Sequence, residues 1–136
     1  MAVLIDASIR FIAVERRGLP PEHAIRLVSA EAAALASITA SELLAGVHRA
    51  DSQDRRLRRE TFVEAILTAL PVLGFDLRVA RVYAGLSAQL AAAGQPVGAH
   101  DLLIAATALA DGSAVLTHNL RDFERVPGLV VRQPTW

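Results

Sequence analysis

Apolar residues along this chain fall either into short unbroken runs or into longer stretches with helical spacing, and the alternation of the two predicts a layered α/β domain. Val3-Leu4-Ile5 is too short for a helix and suits a strand buried on both faces, with Asp6 where it ends. Ser8 can cap the helix that follows, from Ile9 to about Arg17, which Gly18 and Pro20-Pro21 stop; a second helix starts at Pro21 and reaches about Ala30. Leu35 to Ile38 reads as a second strand ending at Thr39. Thr39-Ala40-Ser41-Glu42 then has the S/T-x-x-E spacing of a capping box, opening a helix through Leu43, Leu44 and Val47. A longer helix runs from Ser52 to about Leu70, Val72-Leu73 forms a third strand, and Asp76 caps an amphipathic helix from Leu77 to Ala93 that Gly94 ends.

The stretch from Gln95 to Asn119 organises the rest. Leu102 to Ala110 is apolar on every face, so no side of that helix is made for water. It stops at Asp111-Gly112, where the glycine can take the left-handed conformation, and Ala114-Val115-Leu116 follows as a fourth strand. After Asp122-Phe123 and Pro127-Gly128, Leu129-Val130-Val131 makes the last strand. Strands alternating with helices argue a parallel sheet with helices on both faces, forming one domain over 1–136. In such a sheet the start of the helix before strand four lies beside that strand's carboxyl end, so Asp101 and Asn119 meet at one edge. Asp6 and Glu42, which follow strands one and two, reach the same edge, where α/β sheets bind ligands.

Each of these residues has a structural explanation as well. Asp101 complements a helix dipole, Glu42 completes the capping box, and Asp122 is equally a turn aspartate or a fifth contributor. Together, though, three carboxylates and an amide on one edge repel without a cation, and an oxygen-only cluster suits Mg²⁺ or Mn²⁺. His100 and His118 adjoin the cluster, but neither has the spacing of a histidine metal motif, which disfavours zinc or iron.

Composition narrows the chemistry further. There is no cysteine, which removes disulfides, thiolate metal sites and cysteine nucleophiles, and all 14 basic residues are arginine, which removes a P-loop lysine and a Schiff base. Hydrophobic residues make up 53% of the chain, yet no apolar run approaches the roughly 20 residues that span a bilayer, and the start lacks a signal-peptide pattern, so a cytoplasmic location is expected. Net charge is zero, so a nucleic-acid surface must come from local clustering. Arg55 and Arg59 extend the Phe62-Ile66-Leu70 face of their helix beyond the core, a stripe that fits a protein partner, an RNA, or arginine stems lying on apolar surface.

Three segments, VLIDAS at 3–8, SITASELLAG at 37–46 and GQPVGAHDLLIAATALADGSAVLTHNLRDFERVPGL at 94–129, resemble the PIN domain and, within it, the VapC-type toxin ribonucleases of bacterial toxin–antitoxin pairs. The resemblance spans nearly the whole chain. It implies a five-stranded parallel sheet of order 3-2-1-4-5 in a three-layer domain, Mg²⁺-dependent endonucleolytic cleavage of RNA, a homodimer, and inhibition by a cognate VapB-like antitoxin. Asp6, Glu42 and Asp101 look like the family's metal-binding carboxylates, with Asn119 and Asp122 beside them in the catalytic group. Asn119 matches a position occupied by aspartate in some members, and here it leaves the site one negative charge poorer for a second ion. Two other readings stand beside this one: a catalytically silent PIN-like binding module, and a metal-dependent DNA nuclease or phosphatase on the same edge.

Overall fold

The computed structural model describes residues 2–6 and 8–136, and the side chains of all of these except residues 8 and 9. The expected cap at Ser8 therefore lies outside the described side chains. Five strands, β1 (Val3–Asp6), β2 (Ala33–Ala36), β3 (Val72–Leu73), β4 (Ala114–Thr117) and β5 (Val131–Arg132), form one sheet in the order β3-β2-β1-β4-β5. Every pairing is parallel. The sheet order and the three-layer α/β architecture are those expected from the sequence.

Alternation along the strands builds two cores. Val3, Ile5, Leu35 and Leu116 point to one face, where they meet α1 (Ser8–Arg16), α2 (Pro21–Leu27), α3 (Ser37–His48) and α4 (Gln53–Ala69). Leu4, Ala36 and Val115 point to the other, against α5 (Leu77–Ala92), α6 (Ala99–Asp111) and the short α7 (Leu120–Phe123). A strand covered on both faces must be apolar throughout, and Val3, Leu4 and Ile5 are all fully buried. Helix α6 follows the same logic: Ile104 to Thr107 and Ala108 are buried in succession, and Gly112 closes the helix at φ 74°. Ser52 and Asp76 cap α4 and α5 by accepting from the amides of Arg55 and Val79.

Several boundaries differ from the sequence reading. Strand β2 starts two residues earlier than expected and ends at Ala36, because Val3 pairs with Ala33 and Leu4 with Ala34. Alanine is a poor strand former alone, and tertiary pairing overrides that preference. Helix α3 consequently begins at Ser37 with no side-chain cap, and the Thr39–Glu42 capping box does not form. Thr39 lies inside the helix instead, with a buried hydroxyl that no described group satisfies, and Glu42 falls in the second turn. Helix α2 ends at Leu27 rather than near Ala30, and the Ser29 hydroxyl donates to the Arg26 carbonyl as the chain turns toward β2. Strand β5 is Val131–Arg132 rather than 129–131, although the Val130 carbonyl still accepts from the Val115 amide.

The arginine stripe divides. Arg59 is only 9% exposed; its Nε donates to Glu15 Oε2 at 3.3 Å and its Nη1 to the Gly46 carbonyl at 3.0 Å, so it joins α4 to α1 and α3 within the chain. Arg55 stays exposed and pairs with Asp51, one helical turn earlier, at 3.1 Å. Removing one partner of a buried pair strands the other charge, whereas exposed pairs contribute little. Arg59→Ala should therefore lower unfolding free energy by about 3 kcal/mol or more, and Arg55→Ala by less than about 1 kcal/mol, as read from urea denaturation.

Candidate active site

Register places the site. Asp6 ends β1 and Thr117 ends β4, and the two are direct partners in the parallel ladder. The fully buried Thr117 hydroxyl donates to Asp6 Oδ2 at 2.7 Å and accepts from the Asn119 amide at 2.9 Å, which fixes its direction. The Asn119 side chain then donates from Nδ2 to Asp101 Oδ2 and Asp122 Oδ2, both at 3.2 Å. Asp101 stands in the first turn of α6, beside the carboxyl end of β4 as the helix-then-strand order requires. Asp122 also lies 3.9 Å from Arg125 Nη1, so it belongs to the cluster while keeping a local counter-charge. Glu42 reaches the edge from α3, its Oε1 2.7 Å from His100 Nε2.

The electrostatics of the edge are those of a site short of positive charge. Burial pushes the Asp6 carboxyl above its ordinary range; the Thr117 hydrogen bond opposes that rise, Glu42 adds to it, and His100 opposes it. Asp101 is pushed up to about 6, first by burial and then by the charges of Asp6 and Asp122, with His100 opposing and Glu42 adding. The five residues expected from the sequence, Asp6, Glu42, Asp101, Asn119 and Asp122, thus meet on one edge. Among the described residues no three acidic or histidine side chains close into a preformed metal cage. The donors are instead oxygens spread along the edge, which fits a hard cation that keeps most of its water and binds through one or two carboxylates.

Two participants were not singled out from the sequence. Thr117 was readable in principle, as a polar residue closing an apolar strand that pairs with the strand ending in Asp6. The His100–Glu42 contact joins residues far apart in the chain, and no spacing signals it. His118 turns to Trp136 instead, edge to face at a centroid distance of 6.1 Å, so the two histidines do not converge.

This fold is shared with known proteins. The chain belongs to the PIN-domain family, whose model matches residues 3–129. Its relatives include VapC proteins. It is 34% identical over 131 residues to ribonuclease VapC1 of Rickettsia felis, a match covering 96% of this chain and 95% of the relative. With the tRNA(fMet)-specific endonuclease VapC of Salmonella typhimurium it shares 39% identity over 95 residues, 70% of each chain. The crystal structure of DNA-bound VapBC from Salmonella typhimurium superposes with a TM-score of 0.79 at 30% identity, covering 98% of both chains.

A carboxyl group whose folded pKa is raised stabilises the protein fully below its unfolded pKa, and that contribution is lost as pH rises through the folded value. For Asp101 the window runs from 3.8 to about 6. In metal-free buffer the melting temperature should fall across that interval, and Asp101→Asn should flatten the fall and melt higher at pH 7.

Proposed function

We propose that this chain is a Mg²⁺-dependent endoribonuclease, the toxin of a type II toxin–antitoxin pair. The observation that carries the reading is the meeting of Asp6, Glu42, Asp101 and Asp122 on one sheet edge, with two of the carboxyls held above their usual range, in a chain whose relatives include VapC ribonucleases. Asp6 and Asp101, with Glu42 near them, would hold Mg²⁺, or Mn²⁺ in its place. When bound, the ion supplies positive charge against the scissile phosphate and makes a water easier to deprotonate. The chain's own residues do the rest. Thr117 fixes the Asp6 carboxylate, Asn119 keeps Asp101 and Asp122 together, and Glu42 binds the ion or takes the proton of the attacking water. A silent binding module has no use for this concentration of like charge.

The partner side of the reading rests on charge and apolar surface. A cavity of about 580 Å³ between α1 and α4 is lined by Arg16, Arg49, Arg55, Arg58 and Arg59, against only Glu15 and Asp51, and it suits an acidic segment of a VapB-like antitoxin. Phe75, half exposed, lines a groove with Ile38 and Leu103, a face suited to a second copy of the chain. No described helix is long and apolar enough to cross a membrane, consistent with a cytoplasmic site of action.

The test is to purify the chain free of partner and map cleavage ends in total RNA, including initiator tRNA, with and without Mg²⁺ and with DNA as the competing substrate. Asp6→Asn and Asp101→Asn should each lower the rate by at least about 10²-fold without lowering the melting temperature. With no capping box for Glu42 to complete, Glu42→Gln should also lose about 10²-fold or more. Full activity in these variants, or cleavage of DNA alone, contradicts the reading. Arg55→Ala with Arg58→Ala, which spares the structural Arg59, should weaken antitoxin binding by about tenfold or more and leave RNA cleavage unchanged. A loss of RNA affinity with a shallower salt dependence would make the cavity an RNA surface.

A further inference from the structure

His100 has no part in the reading above, yet it stands inside the acidic edge. It is the second residue of α6, so the turn that aims Asp101 also aims His100, and its Nε2 lies 2.7 Å from Oε1 of Glu42 on α3. It stands close enough to Asp6 and Asp101 to act electrostatically on both. The contact contributes little to the fold: the His100 side chain is 51% exposed, and open polar pairs of this kind barely move stability. What it does restrict is Glu42, a long side chain 33% exposed that rises from the second turn of its helix with three rotatable bonds. A rigid ring nitrogen at hydrogen-bond distance selects one orientation for that carboxylate.

We infer that His100 is a positioning residue, holding the Glu42 carboxylate in the orientation from which it serves the metal-binding edge. The role belongs to Nε2 as a donor and does not depend on the ring's charge, since a neutral imidazole protonated at Nε2 donates as well. Partners that orient metal-binding side chains from outside typically cost 10- to 100-fold in metal affinity or activity when removed. This inference rests on the nuclease reading for its consequence in rate, but its consequence for metal binding is separate.

The experiment compares His100→Ala and His100→Gln in the full chain, alone and with Glu42→Gln, by Mn²⁺ titration calorimetry, steady-state RNA cleavage and thermal melting. His100→Ala should weaken Mn²⁺ binding and lower kcat, each by about 10- to 100-fold, while KM for RNA and the melting temperature stay unchanged. His100→Gln keeps an N–H donor and should recover most of both losses. In the Glu42→Gln background His100→Ala should change neither quantity further, because a residue acting through Glu42 has nothing left to position. Wild-type Mn²⁺ affinity in His100→Ala, a kcat loss that glutamine does not recover, an additive loss in the double variant, or a change confined to KM would each overturn the inference. If the wild-type chain cleaves no RNA while the calorimetric pattern holds, the nuclease reading falls and the positioning role stands.

Discussion

The pairing of β1 with β4 is the constraint on which the rest of the molecule depends. Four consecutive partners, from Val3 with Ala114 to Asp6 with Thr117, fix the register at the centre of the sheet, and the last of them is the Asp6–Thr117 contact itself. A slip of one residue would exchange the two faces of the strand, moving Leu4 into the core that Val3 and Ile5 occupy. The same slip would part the Asp6 carboxylate from the hydroxyl that holds it. Packing and site geometry are therefore set by one ladder, and the apolar runs that bury the sheet also aim the carboxylates.

At the far end of that ladder the requirements of folding and of chemistry oppose each other. Burial and mutual repulsion both disfavour the ionised carboxyls of Asp6 and Asp101. The fold tolerates them because the two cores lie below the edge and the carboxylates stand at strand and helix ends, where polar groups reach solvent and neighbouring donors. The buried charge elsewhere in the chain is handled differently. Arg59 and Glu15 are paired with each other, and Arg59 also bonds a backbone carbonyl, so that pair is closed within the protein. One site is electrically complete and the other is not, which marks the sheet edge as the functional one.

Much of this was legible in the sequence because it follows from local rules. Unbroken apolar triplets meant doubly covered strands, Gly112 meant a left-handed helix end, and the helix-then-strand order of 99–117 by itself brought Asp101 to Asn119. The errors fell where local rules conflict with pairing. Four residues of alanine and leucine became β2 because β1 offered them partners, and shifting that boundary removed a capping box whose spacing was correct but whose helix starts three residues earlier, after Ala36 instead of Thr39. The stripe of Arg55 and Arg59 was geometrically sound, but helical spacing carries no information on what α1 and α3 bring to it, and Glu15 and Gly46 turned Arg59 inward. His100 beside Glu42 is a contact between two helices, α6 and α3, that lie on opposite sides of β3 in the chain order, and only the folded arrangement reveals it.

Asn119 shows how the edge can be assembled without a cation. A carboxylate at this position would be an acceptor only and would add another charge to a cluster already carrying several. The amide reverses that effect: its Nδ2 group donates to Asp101 and Asp122 at once, drawing two like-charged groups toward a common neutral donor, while its backbone amide engages the Thr117 hydroxyl that holds Asp6. One residue thus connects the strand-end Asp6, Asp101 at the start of α6 and Asp122 of α7 through hydrogen bonds. The order of the cluster therefore comes from the protein's own hydrogen bonds.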